Sequence, residues 1–557
     1  MNWTWTTRLI ISLNTGGKET IKTKPEEIWQ EYQAGREYNN GIGLYDTVRK
    51  NERFYVGDQW QGVNAPDLPK PTLNFLKRVV AYFIAMLISD DISVSFSPIG
   101  DCDDTACRLM SKEIDRVMER TKQRAKNRDL MRDAAVDGDC CLYLYYDPDE
   151  ETNDDVKGAI CTEIVDNINV YFGNPYLNDA QRQPYILICQ RRMVNEVQEE
   201  AKKNGEEWES IAPDSDDVQG ENDISNSLCT VLVKLWKDSK TGTVHCCKTT
   251  EKTVVRSKFD TDLRMYPIAY MSWDKKKASY HGQSVITGLI PNQICVNKLY
   301  AMAIRSVEMS AFPKTIYDAT KIKNWTNRVG EAIAVVGDPT NAVATSFKTQ
   351  DMSYQVSDII ERLISHTRDF MGASDAALGN VSPDNTSAII AVQQASAVPL
   401  ELQKLAFYQF VEDYVRVMVD IMSANYGTRE RELEIPDPET GGYVTTEGYF
   451  DFSALRDVNL EMQVDVGAAA YWSELMQVQT LDNLFAAGII SDPELYVTII
   501  PDKYINRKQD LLDGIRQQKI QAQQAAAMQG APVESGVTPM PNMLTGEVNN
   551  TPGEPII

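Results

Sequence analysis

Between Val285 and Asn425 the sequence alternates long helical runs with short, turn-rich pieces, and this series constrains the fold more than any other stretch. Residues 285–310 read as a largely helical stretch carrying Ile290, Ile294, Leu299, Ile304 and Val307. A small α/β piece is expected over residues 312–349, with strands at 315–317 and 332–336. A second helix follows over 351–370, its stripe formed by Ile359, Ile360, Leu363, Ile364 and Thr367. Residues 371–386 form a loop of Gly, Ala, Ser, Asn and Asp. The long helix over 387–425 contains Pro399, which removes one backbone hydrogen bond and is expected to kink it. Two long helices around so small a piece are expected to leave a face uncovered within one chain. Side-by-side packing of copies around a cyclic axis would cover it.

Upstream, residues 24–53 read as one or two helices carrying Ile28, Tyr32, Leu44 and Val48, and a Pro- and Gly-containing loop ends at Pro69-Lys70-Pro71. Residues 74–89 are apolar nearly all round, the pattern of a buried helix. One charged helix is expected over 105–137, with Leu109, Val117, Leu130 and Met131 inward, stopping at Gly138 before a strand at 140–146. Residues 160–275 read as mainly β, with strands at 164–171, 185–191, 229–236, 244–247, 253–256 and 268–273, and a hairpin turn at Lys240-Thr241-Gly242. Residues 204–226 form a polar, acidic insertion expected to be a loose loop. Beyond the long helix come strands at 433–435 and 459–464, then helices over 469–522. The Gln/Ala- and then Pro/Gly/Asn-rich residues after 523 lack the apolar side chains to offset ordering entropy, so disorder is expected there.

Charge narrows the function. Against 80 Asp and Glu stand 56 Lys and Arg, a net charge of −24. A protein that grips DNA or an anionic membrane over a broad surface needs clustered cations, so that class is disfavoured. A protein that lets DNA slide past is not. No run reaches the ~18–20 apolar residues of a membrane span. Residues 1–12 carry one basic residue, Arg8, and no continuous apolar core, so they make a poor signal peptide. The ten cysteines have no framework-like spacing, and a reduced thiol set is expected. With 557 residues the chain exceeds a typical domain of ~150 several-fold, so more than one unit is expected.

Motifs for chemistry fail on inspection. Gly16-Gly17-Lys18 lacks the first glycine and the hydroxyl of a phosphate-binding loop. Gly372-Ala373-Ser374-Asp375-Ala376 misses the last glycine of a nucleophile elbow and follows a helix instead of a strand. His245-Cys246-Cys247 offers adjacent ligands that diverge in a strand, with no C-x-x-C partner, so no metal is expected. Asp101 to Asp104 lacks the glycine and alternation of a calcium loop and reads as a helix cap. His281 and His366 stand alone, Asp147 and Asp149 are an ordinary carboxylate pair, and Lys275-Lys276-Lys277 reads as a solvated turn. No cofactor and no catalysis are expected.

Three sequence features carry a resemblance. Phe54-Tyr55-Val56-Gly57-Asp58-Gln59-Trp60 followed by Pro69-Lys70-Pro71-Thr72-Leu73-Asn74 resembles the N-terminal region of tailed-bacteriophage portal proteins. Residues 134–144, Ala-Ala-Val-Asp-Gly-Asp-Cys-Cys-Leu-Tyr-Leu, resemble their helix–glycine–strand step. The series from 285 to 425 resembles the family's stem, clip, stem, tunnel loop and wing helix, so the similarity spans roughly residues 25–520. The resemblance implies an α+β, portal-type fold with wing, stem, clip and C-terminal helical crown regions, assembled as a cyclic ring. It divides the chain into an N-terminal arm (1–22), wing (23–284), stem helix (285–311), clip (312–350), second stem helix (351–371), tunnel loop (372–386), wing with the long kinked helix and strands (387–468), crown helices (469–522) and a disordered tail (523–557).

The implied function is structural. A ring of twelve sits at one capsid vertex of the virion after assembly in the host cytoplasm. Double-stranded DNA is packaged through it by the terminase and later ejected, and the ring joins head to neck. The implied partners are the ring's own copies, DNA, the terminase large subunit, the major capsid protein and neck or adaptor proteins, without a membrane. Asp375, Asn380, Ser382, Asp384 and Asn385 would face the DNA channel, while Lys321, Lys323, Trp325 and Arg328 in the clip would meet terminase or neck. The alternatives are another minor head or head–tail adaptor protein, and a hydrolase using acidic residues.

Overall fold

The computed structural model describes residues 24–88, 92–98, 104–152, 156–214, 228–311, 315–324, 334–338, 340, 344–346, 354–370, 400–436, 443–457 and 460–466, and scattered helical positions between 481 and 515. The chain divides into two compact units, Met1–Asp465 and Val466–Ile557. In the second unit the described positions between 481 and 515 are helical, and the rings of Phe485 and Tyr496 lie 4.5 Å apart.

The first unit opens with α1 (Pro25–Gly41), whose Pro25 sits in the first turn where its missing N–H costs nothing. α2 (Leu44–Val56) stops at Gly57, which takes a φ of 104° that suits glycine. α3 (Phe75–Ile88) buries Leu76, Val79, Val80, Phe83 and Leu87, as expected of an apolar helix. It is not covered all round, because Lys77, Arg78, Ala81 and Ala85 form an exposed strip. β1 (Ile92–Pro98) follows, then α4 (Asp104–Arg120) and α5 (Gln123–Asp137). The single helix expected over 105–137 is therefore broken. Lys122 adopts a left-handed φ of 53°, and the Thr121 hydroxyl bonds back to the Val117 carbonyl at 2.8 Å. The break lets Arg120 and Lys126 each reach a carbonyl of the neighbouring sheet, Ile160 at 2.7 Å and Thr162 at 2.6 Å.

The β elements are β2 (Asp139–Asp147), β3 (Ala159–Val165), β4 (Val170–Phe172), β5 (Tyr185–Met193), β6 (Leu228–Lys237), β7 (Val244–Thr249), β8 (Val254–Asp260) and β9 (Ile268–Ser272), with α6 (Val194–Lys203) between β5 and β6. β2 lies between β3 and β9 in a three-stranded antiparallel sheet. The other sheet runs β4-β5-β6-β7-β8, a meander in which each strand pairs with its sequence neighbour. The expected strand at 164–171 is split by a short 3₁₀ turn at Asn167–Asn169, which lets β3 and β4 join different sheets. The turn at Gly242 has the expected left-handed φ, 72°. The acidic insertion does not start as a loose loop: Ile211 is buried, and Asp214 takes the Arg191 guanidinium and, at 2.9 Å, the Thr230 N–H.

Adjacent residues of β7 diverge as strand geometry requires. Cys246 enters the main core, whereas Cys247 packs with Ile28, Tyr32 and Leu187 in a smaller cluster. Burial pushes both thiols up to about 12, so neither is a thiolate at neutral pH.

Downstream come α7 (Val285–Ala311), β10 (Thr315–Tyr317), β11 (Ala344–Ser346), α8 (Tyr354–Phe370), α9 (Glu401–Asn425), β12 (Thr428–Pro436), β13 (Tyr443–Asp451) and β14 (Leu460–Val466). β12 and β13 form one nine-residue hairpin where only a strand at 433–435 was expected. Its alternating Arg and Glu hid it, yet Arg429 and Arg431 are buried. β14 pairs with β1. The main core joins α3, α5 and the β2 sheet to the Phe407, Phe410, Tyr414, Met418 and Ile421 face of α9.

Two glycines fix how α5, β2 and the approach to α7 meet. Gly138 caps α5 at φ 105°, and a Cβ on Gly282 would lie 2.8 Å from the carbonyl oxygens of Gly138 and Asp274. Beside them the His281 ring is buried, with Nδ1 2.9 Å from Asp139 and Nε2 3.1 Å from Asn39. This lone histidine is thus a structural tie between α1, β2 and the segment leading into α7. His366 is exposed, Asp149 pairs with Lys203, and Lys275 to Lys277 form an exposed turn.

Asp137 ends α5, where the helix dipole disfavours an anion. Burial, with Asp133 close by, raises its pKa to about 8, and its Oδ1 accepts no hydrogen bond among the described residues. A carboxyl raised this far in the folded state destabilises the fold as pH climbs from the unfolded value, 3.8, through about 8. Asp137→Asn is expected to stabilise the protein by about 2–5 kcal/mol at pH 8.5 and to change nothing below pH 4. Urea midpoints at the two pH values test this, and equal shifts at both would contradict it.

Candidate functional site

Among the described residues the feature that stands apart is the α7–α8 hairpin. The root of α7 is held by amides. Asn51 Nδ2 donates to the Val136 carbonyl at 2.9 Å, Ser284 Oγ at 3.1 Å and Thr287 Oγ1 at 2.9 Å. One turn later Gln293 Nε2 donates to the Leu73 carbonyl at 2.6 Å and to Asn297 Oδ1 at 2.9 Å. Asn297 Nδ2 in turn donates to Gln59 Oε1 at 2.6 Å. Residue pattern alone missed this ladder, since polar residues on a helix face read as solvated. Gln59 within the Phe54–Trp60 motif was the visible sign of it.

Burial ends abruptly along α7. Val285, Ile286, Leu289, Ile290, Val296 and Ala301 are buried, and beyond Ala301 none of its residues is. Met302 is 55 % and Val307 66 % exposed. α8 brings its end back to the root, where Asn292 Nδ2 donates to Thr367 Oγ1 at 3.2 Å. Its Ile360 is buried, as the stripe predicts, while Ile359 of the same stripe is 52 % exposed. Single exposed apolar side chains need no explanation; several on one hairpin leave apolar surface that another protein surface can cover.

Between the two helices β10 and β11 pair antiparallel, Ile316 opposite Thr345, and an isolated bridge joins Ile322 to Val335. Of the expected strand at 332–336, Val335 makes this bridge and residues 332 and 333 lie outside the described residues; the partner of β10 is β11 at Ala344–Ser346. Lys321 lies in this piece, 3.8 Å from Asp318, whose carboxyl is held below its usual value by the Thr320 hydroxyl and N–H. Lys323 is exposed next to it. Trp325 and Arg328 lie outside the described residues, as do Asp375, Asn380, Ser382, Asp384, Asn385 and Pro399.

No group of three or more His, Cys, Asp or Glu side chains among the described residues could hold a metal ion. No helix of the described residues is long and apolar enough to cross a membrane.

The model of the phage P22-like portal protein family matches residues 179–545. The match takes in the five-stranded sheet from β5 onward, the α7–α8 hairpin, α9 and the strands after it. It begins after residues 54–74 and 134–144, which carried part of the resemblance in sequence. No curated protein matches the chain. With about two thirds of its length matched, the chain belongs to the phage P22-like portal protein family, and its role is that of a structural portal protein of a tailed phage.

Proposed function

We propose that twelve copies of this chain close into a ring at one vertex of the capsid, through which double-stranded DNA is packaged by the terminase and later ejected. In this reading α7 and α8 are the stem, the β10–β11 piece is the clip that meets the terminase large subunit and then the neck, and residues 372–386 are the tunnel loop. Residues 23–284 and 387–468 form the wing beside the major capsid protein, and residues 469–522 form the crown. The ring assembles in the host cytoplasm and remains in the virion.

The observation that carries the reading is the exposed apolar side chains of the hairpin, Met302, Val307 and Ile359, in a chain of a portal family. A heterologous contact that closes on itself covers such side chains on every copy. The net charge of −24 suits a conduit, because a strongly cationic channel would bind the DNA it has to pass.

Negative-stain electron microscopy of the purified chain tests this. Hollow rings with rotational symmetry are expected, with a mass of roughly 750 kDa for twelve chains of 62.7 kDa. A monomer or an open filament would overturn it.

A further inference from the structure

In this acidic chain one concave surface is basic. A cleft of about 1240 Å³ opens between α2, the loop after it and α7. α2 lines it with Arg49, Lys50 and Arg53, the last already paired with Asp58 at 3.4 Å, and α7 with Lys298. Two carboxylates also line it, Asp46 and Glu52, but Glu52 already holds the Arg132 guanidinium at 2.6 Å. Trp60 forms an apolar wall, its ring fixed by a 2.9 Å bond from Nε1 to the Pro71 carbonyl. Lys50 and Lys298 are exposed at the rim.

The volume exceeds that of a small-molecule pocket, ~300–1,000 Å³. It suits an extended acidic segment with an aliphatic anchor. Residues 215–227 have that chemistry, with Asp216, Asp217, Glu221 and Asp223, no Lys or Arg, and Val218 and Ile224 between the carboxylates. They lie between Asp214 and the start of β6 at Leu228, and thirteen residues doubled back on themselves can span on the order of 20 Å. Asp214 itself is used within the chain, on Arg191.

We propose that this cleft receives residues 215–227 of a neighbouring copy. The inference rests on the ring reading and adds to it a point of charge recognition. Copies carrying −24 each repel one another, and a contact between them needs a place where opposite signs meet.

A charge swap in the full chain tests it. Lys50→Glu with Lys298→Glu is expected to lower the yield of rings at least tenfold at low salt, as is Asp216→Lys with Asp217→Lys. Combining the four changes is expected to restore rings. Rings at wild-type yield from either double variant, or no restoration in the combination, would overturn the proposal.

A synthetic peptide of residues 213–227, titrated by fluorescence anisotropy onto a full-length variant that stays monomeric, separates this from the ring reading. Binding that weakens at least tenfold with Lys50→Glu and Lys298→Glu supports the cleft even if the wild-type chain forms no ring. Absence of binding overturns it even if rings form. Capture of a single-stranded DNA oligonucleotide in place of the peptide would assign the cleft to nucleic acid and overturn the proposal.

Discussion

Glu113→Ala is expected to cost about 3–5 kcal/mol of stability. Glu113 of α4 accepts from Arg431 of β12 with both oxygens, at 2.9 and 3.1 Å, and the two side chains are only 3 % and 5 % exposed. Removing the carboxylate leaves the guanidinium buried with the neighbouring Glu430 carbonyl, 2.9 Å away, as a neutral acceptor. The cost is that of an uncompensated buried charge and exceeds what the pair contributes over an apolar substitute. Glu113→Leu combined with Arg431→Met is therefore expected to return to within about 1 kcal/mol of the wild type. Urea unfolding of the three variants measures this. A single variant within 1 kcal/mol of wild type would show that the pair is not what holds the β12–β13 hairpin on α4. Arg108 and Lys112, which meet Glu434 at 3.6 and 2.5 Å on the exposed side, would then be the stronger tie.

The second large effect falls on assembly and leaves folding alone. Met302→Asp with Val307→Asp places two carboxylates on the part of α7 beyond Ala301, where each of these side chains is more than half exposed in the single chain. Such changes cost the isolated chain within about 0.5 kcal/mol each. In a ring they would be buried against the next copy without a partner, and the penalty of several kcal/mol per interface repeats at every contact around the circle. Size-exclusion chromatography with light scattering is expected to show monomers with an unchanged melting temperature. Rings of normal yield would mean that α7 does not face a neighbour.

Much of this architecture was legible in the residues, and the exceptions share a physical cause. The β6–β7 hairpin could be read because Lys240-Thr241-Gly242 punctuates two apolar strands, and Gly242 takes the conformation that only glycine adopts easily. α8 could be read because its apolar residues recur at helical spacing. The break at Lys122 could not, because no glycine or proline marks it; it is imposed by the sheet carbonyls that Arg120 and Lys126 reach. β12 and β13 could not, because buried Arg429 and Arg431 look like solvent-facing charges until Gly158 and Glu113 are seen to receive them. At the candidate site, the helical pattern located the hairpin and the stripe of α8, while the amide ladder from Gln59 to Gln293 left no trace in hydrophobic periodicity. The expected channel residues, Asp375 through Asn385, fall outside the described residues and stand as part of the proposal alone.

α7 contains Pro291, which cannot donate to the Thr287 carbonyl and would by itself make a compliant joint. The amide anchors straddle it: Thr287 is tied to Asn51 on one side, and Gln293 and Asn297 to Leu73 and Gln59 on the other. The joint is splinted. The overhang begins only after Ala301, leaving ten residues, about 15 Å of helix, as a cantilever. A load applied at β10 and β11 therefore bends that overhang and is carried as a moment into α2 and α5, instead of being absorbed at the proline.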